Sequence, residues 1–265
     1  MTANSTGQPR RITMGTVAID LARQNDVAAL VDRALAVADH PTVALASVNL
    51  DHIHHFATDG PSHGQALVDT PDLQWKVLLD GTPIAATIKL RLHESWPLLR
   101  GSDLLPILLD QAERKGYSVG FLGGMPTMHR RLKDVLAKDY ARLRVVGYWA
   151  PERAELTNPE SSAALLRQIK DAGVEILVVG LGKPRQEIWI QDHAIESGAK
   201  VQLAFGASAD FLAGVSRRAP KWMSRVGLEW LYRLAKEPRR LSRRYLIEGP
   251  QAAVHMLRYG PRDQR

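Results

Sequence analysis

The sequence predicts an α/β fold: a mostly parallel sheet with helices on both faces, followed by a helical appendage. Two observations predict the sheet. Short β-rich apolar runs alternate with helix-period segments, and their spacing of roughly 20–30 residues is that of βαβ units. A third observation predicts the appendage: past Gly214 the composition changes and basic residues crowd together.

In chain order, residues 1–12 read as a disordered leader, because no apolar segment stands behind their charges. A helical stretch follows from about Gln24 to Ala38. Candidate strands are Thr42–Asn49, Leu73–Leu79, Ser118–Leu122, Arg144–Tyr148, Ile176–Gly180 and Val201–Phe205. Between them, helical periodicity covers about Asp51–Asp59, Asp103–Lys115, Met125–Lys138, Ser161–Ala172 and Gln186–Ser197. Residues 13–214 form the expected core, with a boundary near residue 215. Beyond it, residues 217–245 read as helix, proline break and helix. Met223, Val226, Trp230 and Leu234 form an apolar stripe, and Pro238 interrupts the pattern. Residues 215–265 are the expected appendage, whose apolar residues can pack on the body or on a second copy of the chain.

Composition narrows the function. The 265 residues carry a net charge of +7 and no cysteine. Disulfide scaffolds, Cys-ligated metal sites and thiol nucleophiles are excluded. No apolar run approaches the roughly 18–20 residues that cross a bilayer. Residues 215–265 hold 13 Lys+Arg against 4 Asp+Glu, a balance of +9, whereas the preceding residues hold 22 against 24, a balance of −2. A near-neutral body with a basic tail implies an anionic partner: nucleic acid, anionic lipid or a phosphorylated substrate. Trp222, Trp230 and Tyr232 among the arginines fit membrane docking, single-strand stacking, or a helix packed on its own body. A non-enzymatic nucleic-acid- or lipid-binding role is therefore the alternative to an enzyme. It leaves the junction motifs of the body unused.

In parallel sheets ligands sit at the carboxyl ends of the strands. Asp80 directly follows WKVLL, where a carboxylate can take a proton from a substrate hydroxyl or simply make an Asp-Gly turn. Gly123-Gly124 opens a helix after a strand and suits either an anion or a tight turn. In GLGKPRQE, Gly182 allows close backbone approach, and Gln186 and Glu187 sit in the first helical turn aimed at the strand ends. Glu187 can alternatively cap the helix, and Lys183 and Arg185 read as added charge or as solvated side chains. Asp51 and Asp103 read as caps. The histidines of DHIHH lack HExxH or comparable ligand spacing, so no metal site is expected. GxGxxG, Walker and Gly-x-Ser-x-Gly patterns are missing as well.

The block ILVVGLGKPRQEIWI, continued by AFGASADFLAGVSRRAPKWMSRVGLEWLYRLAKEPRRLSRRYL, resembles the WecG/TagA/CpsF family, glycosyltransferase family 26. SVN at Ser47–Asn49, LLDGTPI at Leu78–Ile84, RGSDLL at Arg100–Leu105 and FLGG at Phe121–Gly124 extend the resemblance over about residues 40–246. It implies a Rossmann-like core and an appendage that helps close the active site. The activity implied is inverting transfer of an N-acetylmannosamine-type or related sugar from a UDP-sugar to a polyprenyl-diphosphate-linked sugar. The pathways implied are those of cell-surface polysaccharide or teichoic acid, at the inner face of the plasma membrane, without a cofactor or required metal. By motif, Asp80 would be the general base, Ser47 and Asn49 would line the sugar pocket, and Gln186 would contact donor or acceptor. Asp210 would hold the nucleoside, Tyr148 would stack on uracil, and Arg233, Arg240 and Arg243 would clamp diphosphate. Arg239 and Arg244 are left to the membrane surface or to solvent. This sequence departs from the family pattern at Ala209, where Phe is usual, and at Leu98, where Arg is frequent and Arg100 lies nearby.

Overall fold

The structure, a computed structural model, describes residues 10–216, 220, 223 and 229–263; the side chains of Glu229, Arg233 and Arg240 are outside that description. It opens with a hairpin the sequence reading overlooked, β1 (Arg10–Met14) and β2 (Val17–Leu21). Gly15, with φ of 66°, makes the two-residue turn whose left-handed backbone suits the twist of a hairpin. Arg10–Ile12, expected in the leader, belong to this strand. Then come α1 (Gln24–Ala36), β3 (Thr42–Val48), α2 (Leu50–Phe56), β4 (Leu73–Leu79), α3 (Thr82–Leu92) and α4 (Gly101–Lys115). They are followed by β5 (Ser118–Gly123), α5 (Pro126–Asp139), β6 (Arg144–Trp149), α6 (Arg153–Thr157), α7 (Pro159–Asp171) and β7 (Ile176–Gly180). Next are α8 (Arg185–His193), β8 (Val201–Leu203) and α9 (Gly206–Leu212). The tail contributes α10 (Glu229–Lys236), α11 (Pro238–Arg243), a π-helical turn at Arg244–Glu248, α12 (Gly249–Tyr259) and β9 (Pro261–Asp263).

All six predicted strands form. They lie in one nine-stranded sheet of order β6-β5-β7-β8-β3-β4-β2-β1-β9. From β6 to β2 every pairing is parallel, and β1 runs antiparallel to both β2 and β9. The chain moves from β4 back across to β5, so β3 and β8 flank the point where the winding reverses, the place where such sheets bind ligands. The inner strands β3, β5, β7 and β8 run as buried apolar stretches because helices cover both faces. One core layer joins α1, α4, α5 and α9 to the sheet, a second joins α7 and α8, and a third unites the β1–β2 hairpin with α2, α3 and α12.

The appendage is less separate than the composition shift implies. It is not wholly helical: β9 adds a strand to the sheet beside β1, with Ile12 opposite Asp263. Ala252 and Met256 of α12 are buried in the third layer.

Candidate active site

Two adjacent parallel strands place the first pair of groups. Val48 of β3 is in register with Leu79 of β4, so Asn49 and Asp80 emerge side by side. Asp80 and Gly81 both donate backbone N–H to the Val48 carbonyl, at 3.1 and 3.0 Å, which fixes the turn. The Asn49 side chain accepts from the His52 amide at 3.2 Å, making Asn49 the N-cap of α2. Its Nδ2 stands 3.5 Å from Asp80 Oδ2. Arg100, at the start of α4, approaches Asp80 at 3.9 Å and Asp103 at 3.7 Å. Arg100 thus puts positive charge beside the candidate base. Asp103 lies in the first turn with its carboxylate toward that arginine.

The second group lies across β8. That strand pairs with β3 only as far as Leu203 opposite Leu45. The gap it leaves at the sheet edge is spanned by Lys183, from the loop after β7. Lys183 Nζ donates to the Ser47 carbonyl at 2.9 Å, lies 3.0 Å from His52 Nδ1 and pairs with Glu187 Oε1 at 3.3 Å. Its side chain is 10% exposed and that of Glu187 is 0%. The basic pair, read from the sequence as added charge or as solvated side chains, therefore splits: Arg185 is exposed and Lys183 is not. Glu187 is a buried ion-pair partner rather than a cap; burial raises its carboxyl pKa while Lys183 opposes the rise. His52 is fully buried, and burial first and Lys183 second hold it neutral, well below the usual histidine range.

Gln186 is buried as well. Its Nε2 donates to the Ala204 carbonyl at 2.8 Å and to Glu187 Oε1 at 3.2 Å. Its Oε1 lies so close to Gly206 that a Cβ there would sit 2.7 Å away. The carboxamide thus braces the start of α9 in this conformation instead of opening toward a substrate.

Gly123 and Gly124 have φ of 91° and 80°. A Cβ on Gly123 would meet the Gly180 carbonyl oxygen at 2.5 Å, so the close approach of β5 and β7 itself requires glycine. His129 Nε2 lies 2.8 Å from the Gly123 carbonyl, which can only accept, so that nitrogen carries the proton. Gly182, at φ of 76°, needs glycine for its backbone conformation. Tyr148, on edge strand β6, stacks on Phe121 at 5.5 Å with Lys133 over its ring at 4.7 Å. Burial pushes its phenol up to about 12. Its ring is engaged within the protein, and β6 lies outside β5, at the far end of the sheet from β4. Asp210 lies in α9, and its carbonyl accepts from Val215 and Ser216 beyond the helix. Ala209 is buried in the first core layer, where a larger side chain would press on the packing.

Arg233 and Arg240 sit on α10 and α11 and their side chains lie outside the described ones. Arg243 is 82% exposed and pairs with Glu248 at 3.0 Å. Arg244, left to membrane or solvent by the sequence reading, instead pairs at 3.1 Å with the buried carboxylate of Asp51. Asp51 is therefore the anchor of the tail on α2, not a cap. The histidine run is divided: His52 faces Lys183, His54 lies 3.9 Å from Glu248, and His55 lies 3.9 Å from Asp51.

Ser47, Asn49, Asp80, Gln186, Gly123 and Gly182 thus gather along one carboxyl edge, where Lys183 and Glu187 are joined by His52. The Gly123 turn and Asp80 are four strand spacings apart, about 19 Å at 4.8 Å per strand. The model of the glycosyl transferase WecG/TagA/CpsF family matches residues 12–265, and the chain belongs to that family of glycosyltransferases.

Proposed function

We propose that the protein is an inverting glycosyltransferase that moves a sugar from a UDP-sugar to a polyprenyl-diphosphate-linked sugar in cell-surface polysaccharide synthesis. The observation that carries the reading is the pairing of Asn49 and Asp80 at the ends of adjacent strands in a chain of this family. Asp80 takes the proton of the acceptor hydroxyl, and that oxygen attacks the anomeric carbon opposite the UDP. The carbon–oxygen bond to UDP breaks and its electron pair passes to the diphosphate. Arg233, Arg240 and Arg243 of the tail receive that charge in place of a metal ion. Asp210 and the Gly123-Gly124 turn hold the donor.

The acceptor's lipid calls for a peripheral position at the inner membrane face. Among the described residues no helix is long and apolar enough to cross a membrane. Leu90 of α3 and Val254 and Leu257 of α12 are exposed. Leu257 lines a hollow of about 250 Å³ together with Arg91, Arg258 and Arg262. Apolar side chains beside arginines suit an anionic lipid surface.

The test is a panel of UDP-sugars assayed with a short-chain prenyl-diphosphate sugar, with NMR of the product. One donor should release UDP and give a glycosidic bond of inverted anomeric configuration. Retention of configuration, or no transfer from any UDP-sugar, overturns the reading.

A further inference from the structure

The geometry points to Lys183 as a positioning residue of the transfer reaction: with Glu187 and His52 it sets the carboxyl end of β3, and thereby Ser47 and Asn49, against α8. This rests on the transferase reading above and adds residues to it.

Lysine has three N–H donors and no acceptor. In this structure three acceptors meet it: the Ser47 carbonyl, His52 Nδ1 and Glu187 Oε1. All three donors are committed inside the protein, so Lys183 is not placed as a phosphate ligand even though it lies at the switch point. Since the ammonium can only donate, His52 Nδ1 must accept and the ring proton must sit on Nε2. These partners come from three elements. Ser47 is the penultimate residue of β3, His52 lies in the helix capped by Asn49, and Glu187 lies in the first turn of α8 beside Gln186. Glu187 Oε1 also accepts from Gln186. One cation therefore links the strand carrying Ser47 and Asn49 to the helix carrying Gln186. It does so across the gap left by the short strand β8.

Among the described residues Glu187 Oε2 and His52 Nε2 are buried with no hydrogen-bond partner, a cost that an apolar packing would avoid. The linkage retained at that cost fixes the end of β3, where Asn49 meets Asp80. A shift of about 1 Å at such a point costs up to about a hundredfold in rate.

The experiment compares wild type with Lys183→Met and the double variant Lys183→Met/Glu187→Gln. The single variant leaves Glu187 buried without its cation and loses stability. The double variant removes both charges, and its thermal unfolding should return close to wild type. Positioning predicts that the refolded double variant still turns over about ten- to a hundredfold more slowly, with KM for the donor and UDP binding within about twofold of wild type. Wild-type turnover in the well-folded double variant overturns the proposal. Nitrogen NMR of the histidines supplies a readout independent of activity. His52 should be a fixed Nε2–H tautomer in wild type and lose that fixity in Lys183→Met. An unchanged His52 signal also overturns it. Failure of the transferase reading is recognised separately, because the wild type itself would then be inactive toward every UDP-sugar while the His52 result stands.

Discussion

The two corners flanking the end of β3 are built in opposite ways. On the β4 side, Asp80 is partly exposed, with Asn49 Nδ2 at 3.5 Å and the Arg100 guanidinium at 3.9 Å. On the β7 side, Lys183, Glu187 and Gln186 are nearly or wholly buried, with contacts of 2.8–3.3 Å. A group that must exchange a proton with a substrate needs an open face and an adaptable hydrogen bond, whereas a group that holds others in place needs neither. The open corner is suited to chemistry and the closed corner to support.

The largest effect expected at either corner comes from Asp80→Asn. It keeps the shape and removes the base, so turnover should fall about 10²–10⁴-fold. UDP affinity by calorimetry should stay within a few-fold, and near-normal turnover would remove Asp80 from the mechanism. A smaller effect tests whether the tail is coupled to these corners through α2, which Asn49 caps and which carries both His52 and Asp51. Arg244→Ala strands the buried Asp51 carboxylate and should cost about 1–3 kcal/mol in urea unfolding. Arg243→Ala, at an exposed pair, should cost less than about 0.5 kcal/mol. Equal costs for the two would show that the Asp51 contact does not seat the tail. The smallest effect sharpens the closed corner by pH. His52 has a folded-state pKa below its ordinary 6.5. As pH falls through 6.5, the unfolded chain takes up a proton that the folded protein does not, and stability declines. His52→Asn keeps an acceptor for Lys183 and should lessen the loss of stability between about pH 7.5 and about pH 5.5. Burial also depresses His55, His129 and His255, so part of the decline should persist in the variant.

The same contrast explains what was legible in the sequence. Six of the seven parallel strands, all but β2, were visible because each is a compact apolar run next to a helix-period segment. Asp80 and Asn49 were visible because they follow such runs directly. The β1–β2 hairpin was overlooked, although Gly15-Thr16 between Ile12/Met14 and Val17/Ile19/Leu21 marks a two-residue turn between apolar positions of period two. Helix α3 was overlooked because TPIAATIKLRL is rich in β-branched residues and weakly patterned. The burial of Lys183 had no local signal, since its partners Ser47 and His52 lie 136 and 131 residues earlier. Arg243 and Arg244 look alike in the string LSRRYL. Only the helix direction and the place of Asp51 separate the exposed one from the anchored one.

Strand β9 has a further consequence, for the timing of synthesis. Arg10 and Asp263, which close the outer edge of the sheet through a side-chain pair at 2.7 Å, are 253 residues apart in sequence. A nascent chain can assemble the parallel core while it is still being translated. Until residue 263 has left the ribosome, however, β1 presents an uncovered strand edge open to unwanted pairing. The tail that carries the arginines gains at that same step an attachment beyond the Arg244–Asp51 pair and the packing of α12. Completion of the sheet thus waits for the strand that follows the arginine-bearing tail.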